Sequence, residues 1–100
     1  MDRRLLLSAE LHKFMDNVYY EPPENMTLQY DCIIYRKDPD YQEKANNYNY
    51  ISVDRYVITV VERKVDTGVA QAIRDHFPAC TITNTFVSDN LHHTLIKLYF

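Results

Sequence analysis

Two adjacent histidines, His92 and His93, are the residues of the chain best suited to chemistry. Imidazole nitrogens bind zinc and transfer protons near neutral pH. The surrounding residues predict a strand, in which neighbouring side chains point to opposite faces. We therefore expect the two rings to share neither a metal nor a substrate, with one ring in solvent and the other hydrogen-bonded near a turn.

A second candidate is the pair of carboxylates, Asp38 and Asp40, that flanks Pro39. An extended segment turns both carboxylates to one side, as a weak cation site requires. The glycine and the later bidentate glutamate of a calcium loop are missing. We expect a solvated loop tip here and assign no metal-binding residue.

The possible nucleophiles have no supporting motif. Ser8, Ser52 and Ser88 lack a G-x-S-x-G context, and Cys32 and Cys80 have no C-x-x-C spacing. The cysteines predict buried thiols in a reducing compartment, and the sequence leaves open whether the two form a disulfide. No catalytic or cofactor-binding residue is assigned, no cofactor is expected, and the protein is predicted not to be an enzyme.

Composition limits the possible partners. The chain has 100 residues, 46% of them hydrophobic and 25% charged, which predicts one folded domain over residues 1–100. Its net charge is −3 and its basic residues occur singly or in isolated pairs, so no nucleic-acid-binding surface is expected. Charged residues from Glu10 onward interrupt the early leucine run, and no stretch is long enough to span a membrane. Nine tyrosines are typical either of protein-binding surfaces or of half-buried strand positions.

The first half of the chain predicts a helix, a strand and a loop. The helix runs from Asp2 to about Val18 and is ended by Pro22-Pro23. Tyr30 to Lys37 predicts a buried strand, and the polar residues from Asp38 to Asn49 predict a projecting loop. The apolar stripe of the helix consists of Leu7, Leu11, Phe14, Met15 and Val18.

The second half predicts a strand, a helix and a hairpin. Tyr50 to Arg63 has two nearly apolar faces and should be a central strand. A helix capped by Asp66 or Thr67 presents Val69, Ile73 and Phe77 and stops at Pro78. Cys80–Val87 and Leu91–Phe100 form a hairpin joined by Ser88-Asp89-Asn90. The expected order is αββαββ, an α+β fold in which two helices pack on a mostly antiparallel four-stranded sheet.

Several segments resemble one family of short phage proteins. Tyr20-Glu21-Pro22-Pro23-Glu24, the strand from Arg55 to Val61, the turn from Ser88 to His93 and the aromatic end at Tyr99-Phe100 follow its order and spacing. This chain therefore resembles the tail-completion, tail-terminator or minor tail proteins encoded by siphophages and by prophages of Gram-positive hosts. The likeness is looser from Pro39 to Asn49 and in the residues just before Phe86.

The resemblance implies a non-enzymatic virion assembly protein, made in the host cytoplasm, that joins head and tail. It acts in a ring, commonly a hexamer, against connector or tail-tube proteins, with no small-molecule substrate. A ring requires two different patches that complement each other. We expect one patch in the loop from Asp38 to Tyr50, with Tyr41, Tyr48 and Tyr50, and the other near Tyr19, Tyr20, Glu21, Pro22, Pro23 and Glu24 or on an exposed helix face. A turn-stiffening role for Pro22 and Pro23 is an equal alternative to a contact role.

Two other functions stay open. A protein-binding adaptor unrelated to virions would also use exposed tyrosines, and its size in solution would distinguish it from a ring subunit. A small hydrolase or nuclease would depend on His92 or His93, whereas an assembly protein should tolerate their replacement.

Overall fold

A computed structural model describes residues 3–38, 55–64 and 67–100 as two helices packed on a five-stranded mixed sheet. In chain order the elements are α1 (Arg3–Leu11), β1 (Val18–Tyr20), β2 (Cys32–Lys37), β3 (Arg55–Glu62), α2 (Val69–His76), β4 (Cys80–Ser88) and β5 (Leu91–Tyr99). The strands lie side by side in the order β1-β2-β3-β5-β4. Strand β1 is parallel to β2, and the other neighbours are antiparallel.

The predicted α+β class is confirmed, but the four-stranded sheet and the order αββαββ are wrong. The first helix ends at Leu11 instead of Val18, and Val18–Tyr20 forms a further strand. A turn over residues 12–14, closed by hydrogen bonds from Lys13 to Glu10 and from Phe14 to Leu11, and a bend at Asp16 separate the two elements. The order is therefore αβββαββ, and the added parallel strand makes the sheet mixed.

The central position predicted for β3 is confirmed. This strand pairs with β2 on one side and β5 on the other, so that Tyr35, Ile58 and Ile96 lie in one row across the sheet. Leu7 and Ile73 bring the two helices onto the same face, and all five side chains are almost fully buried. Each such side chain stabilises the fold by roughly 1.5–3 kcal/mol relative to an exposed position.

Helix α2 matches the predicted stripe but not the predicted cap. Ile73 and Phe77 are buried, and Val69 packs against them from a half-buried position. The helix starts after Gly68, the N-cap residue, whose φ of 83° is left-handed and which makes no side-chain capping bond. Thr67 is therefore not the N-cap residue, although its hydroxyl accepts a hydrogen bond from the Val69 N–H at 3.4 Å, and Asp66 lies outside the described residues. Glycine adopts this conformation without the steric cost that a side chain imposes.

Strands β4 and β5 form the predicted hairpin. Ser88 pairs with Leu91, so Asp89 and Asn90 alone form the turn, with φ of 53° and 64°. Positive φ at both central residues is the type I′ geometry, which matches the twist of the strands it joins. The strand register shifts between Ile82 and Asn84, which leaves Thr83 as the extra residue of a bulge.

Candidate functional site

Among the described residues, the sheet ends in two different borders that pair with no further strand. We call the outer side of β4 the β4 edge and the outer side of β1 the β1 edge. Strand order places them at opposite ends of one sheet. Each edge carries backbone donors and acceptors that no strand pairs within the described part of the chain.

The β4 edge is long and uncharged. Its nine residues, Cys80–Ser88, include no charged side chain and no proline. Phe86 is 44% exposed and Val87 is 63% exposed, and the ring of Phe86 stacks on His93 with centroids 4.6 Å apart. Proteins commonly protect a free edge strand with charges or proline because such a strand pairs readily with another chain. The β4 edge lacks both devices.

The β1 edge contains two of the predicted interface residues, Tyr19 and Tyr20. The hydroxyl of Tyr19 accepts a hydrogen bond from the backbone N–H of Gln29 at 3.1 Å. The ring of Tyr20 lies 4.9 Å from that of Tyr35, and the Arg4 guanidinium lies 4.5 Å from its centroid. Burial, followed by a hydrogen bond to Glu21, raises the pKa of Tyr20 to about 12. Both tyrosines thus make defined contacts within their own chain at this border.

Some of the other predicted interface residues lie within the described ranges and some lie outside them. Glu21 follows β1 with a φ of 43° and donates its backbone N–H to the carbonyl of Tyr35. The carbonyl of Pro23 accepts a hydrogen bond from Met26, which closes a turn beside exposed Glu24, while Pro22 is half-buried. Tyr41, Tyr48 and Tyr50 lie outside the described residues.

A charged cluster occupies the end of β3 that lies far from the hairpin turn. Asp38 is buried, with its Oδ2 atom 2.7 Å from Nε of Arg55 and 3.6 Å from Nζ of Lys97. A hydrogen bond to Tyr99, and then the charge of Asp38, raise the pKa of Arg55 against the opposing effect of burial. Asp38 is therefore an ion-pair partner in the sheet, and the expectation of a solvated loop tip is wrong for this residue. Asp40 lies outside the described residues.

One pocket, with a volume of about 360 Å³, lies between the start of α2 and the β4–β5 hairpin. Glu62 is 7% exposed there and accepts a hydrogen bond from the Thr67 hydroxyl. His92 pairs with Glu62 across the strands, and Thr85 and Val87 line the side next to the β4 edge. The pocket is thus continuous with the exposed border of the sheet.

The histidines are placed on neighbouring positions of β5. His92 is opposite Glu62, whereas His93 is opposite Val61 and directs Nδ1 toward the Leu91 carbonyl at 3.1 Å. Across residues 3–38, 55–64 and 67–100, no group of three or more possible ligands is arranged to hold a metal ion. In the same ranges no hydrogen bond joins a serine hydroxyl or a thiol to a histidine ring.

The two cysteines lie on strands that are not neighbours. Cys32 is in β2 and Cys80 in β4, with β3 and β5 between them. Three strand spacings amount to about 14 Å, twice the Cα separation of about 7 Å beyond which a disulfide cannot form. Burial raises the pKa of each thiol to about 11. In the folded chain these thiols cannot bridge and are poor nucleophiles.

Of the predicted interface residues, Tyr19 and Tyr20 lie on the β1 edge, whereas the β4 edge was not predicted because local patterns do not give the order of the strands. A usable signal is present: after Ile82 the alternation of apolar and polar residues stops, and Thr83-Asn84-Thr85 follows. Comparisons of the chain with protein-family models, with curated proteins and with solved structures found no match. No helix in the described ranges is long and apolar enough to cross a membrane.

Proposed function

We propose that the protein is a structural assembly subunit of a tailed bacteriophage, acting in a ring of copies at the junction of head and tail. The resemblance in the sequence suggests this role. The observation that carries it is the presence of two dissimilar free borders, the β4 edge and the β1 edge, at opposite ends of one sheet.

A ring forms when one patch on a subunit binds a different patch on the next subunit and the rotation closes. Two borders at opposite ends of a sheet meet the first requirement, since each copy offers one to the neighbour on either side. The rigid aromatic residues Tyr19 and Tyr20 at one border and exposed Phe86 and Val87 at the other are of the type found at protein interfaces.

The proposal is tested in a phage that encodes this chain, by deleting its gene and supplying variants in trans. Particles without the protein should accumulate as separate heads and tails, and gold-labelled protein should appear at the junction in electron micrographs. Val87→Lys places a charge on the β4 edge and should fail to restore joined particles. Ala72→Lys adds the same charge to an exposed position of α2 and should restore them.

Joined, infectious particles in the absence of the gene would refute the proposal. So would a label found only outside the virion. A single copy bound to one cellular partner, with no higher assembly detected by light scattering, would favour the adaptor function.

A further inference from the structure

The β4 edge has a defined set of outward-facing backbone groups. The two-residue turn makes Ser88 and Leu91 a hydrogen-bonded pair, and such pairs alternate along an antiparallel ladder. Phe86 and Asn84 are therefore bonded to β5, and Thr85 and Val87 direct their N–H and C=O groups away from it. Their side chains lie on the helix-covered face, because Thr85 shares its cross-strand row with Thr94 and buried Val60.

The β1 edge has a matching set. The N–H of Ile33 donates to the carbonyl of Asn17, and the N–H of Glu21 donates to the carbonyl of Tyr35. Residues 17, 19 and 21 thus face β2, so Val18 and Tyr20 direct their backbone groups outward. Their side chains also lie on the helix-covered face, where both pack against the main core.

Strand directions fit as well. Strand β1 runs parallel to β2, and each later neighbour in the order β2-β3-β5-β4 is antiparallel to the one before. Therefore β1 and β4 run in opposite directions. If the sheet continues into a second copy with its helices on the same side, the neighbour's β1 meets β4 antiparallel. No charged side chain of β4 or of Val18–Tyr20 opposes this contact.

We infer that β4 of each copy pairs antiparallel with β1 of the next, with Val87 opposite Val18 and Thr85 opposite Tyr20 of that copy. This interface rests on the proposed ring and specifies its contact. The pairing gives partners to the outward backbone groups of Val87, Val18 and Tyr20 and to the carbonyl of Thr85, and it covers Val87, which is 63% exposed in the single chain. The N–H of Thr85 donates to Oδ1 of Asn84 at 2.9 Å in the single chain, and the pairing exchanges this bond for one to the next copy. It also sets Val18 and Tyr20 of the next copy beside the pocket that Thr85 and Val87 line.

Two competing pairings are less favourable. Cys80 and Ile82 also face outward, but their side chains pack against the core of their own chain and offer little new apolar surface. Pairing of β4 with β4 of a second copy is isologous, which closes at two subunits and leaves both β1 edges unused. The cross-linking pattern separates both from the inferred register.

Disulfide cross-linking tests the register. Phe86 and Tyr19 of the next copy become a non-hydrogen-bonded pair with Cα atoms about 4.5 Å apart, a separation that a disulfide spans. In a Cys80→Ser background, oxidation of Tyr19→Cys with Phe86→Cys should give a ladder of covalent multimers on a non-reducing gel. Neither single variant should give the ladder. Tyr19→Cys with Thr81→Cys, on the same strand but out of register, should form at least about tenfold less product.

A second pair, Val18→Cys with Val87→Cys, guards against a folding defect in the first and should also give multimers. Covalent dimers from Phe86→Cys alone would identify the two-fold pairing and overturn the inference. Equal yields from the Thr81 control, or a wild-type chain that stays monomeric at about 1 mM, would overturn it too. Gold label at the head–tail junction without these cross-links would overturn the register alone, whereas cross-links without junction labelling would overturn only the proposed virion role.

Discussion

At the scale of single residues, one carboxylate links the two helices beside their apolar contacts. Glu10 of α1 lies 2.8 Å from Nε2 of His76 in α2 and 2.7 Å from Nζ of Lys13. Hydrogen bonds to Lys13 and then to His76 lower the pKa of Glu10 below 4.5. A carboxylate with a lowered pKa in the folded state stabilises the fold above its unfolded pKa, and this contribution is lost as pH falls through the folded value.

We therefore predict that Glu10→Gln lowers the melting temperature near neutral pH and that the difference from wild type disappears in acid. Thermal unfolding followed by circular dichroism between about pH 6 and about pH 3 would measure it. The effect should be small, because the group is exposed to solvent and salt screens it. A difference that stays constant to the lowest pH would show that Glu10 acts through packing and not through its charge.

At the scale of elements, the hairpin turn determines which backbone groups of β4 point outward. Asn90 has a φ of 64°, where a β-branched residue is strained and glycine is not. We predict that Asn90→Val lowers the free energy of unfolding by about 1–2 kcal/mol, and that Asn90→Gly leaves it equal or slightly higher. Urea unfolding of the two variants beside wild type would measure this. Equal losses in both would mean that the Asn90 side chain, and not its backbone conformation, stabilises the turn.

Local sequence patterns predict some of the elements and miss others. The two apolar faces of β3 predicted a central strand correctly, since burial on both faces leaves a readable signature along one segment. Strand β1 was missed because Val18 fits the helical stripe of Leu7 and Leu11 equally well, and three residues are too few to establish alternation. Its strand conformation depends on pairing with β2, a contact with residues 15 positions later that no local pattern encodes.

Only part of the candidate site was predicted, because the order of the strands depends on contacts that no local pattern encodes. Tyr19 and Tyr20 were named from residue type and from the resemblance, and the structure places both on a free border. The other border became visible only when the strands were ordered, because the last strand of the chain, β5, inserts between β3 and β4. That insertion leaves β4 at the edge, although it is not the final strand in sequence.

At the scale of the whole molecule, association and stability should be coupled. A subunit that binds its neighbours only when folded gains stability from them by mass action. We predict that the melting temperature of the wild-type chain rises by about 5 °C when its concentration increases about a hundredfold. Val87→Lys should remove this dependence, while Ala72→Lys, with the same added charge on α2, should keep it.

The response to salt distinguishes strand pairing from ion pairing between copies, because the β4 edge has no charged side chain. Strand pairing between backbone groups and apolar side chains should persist at about 0.5 M salt, where the screening length falls to a few ångströms. Copies with a net charge of −3 repel one another weakly, so added salt should leave the concentration dependence unchanged or strengthen it. If the dependence instead vanished in salt, ion pairs would hold the copies together and the two free edges of the sheet would not be their contact.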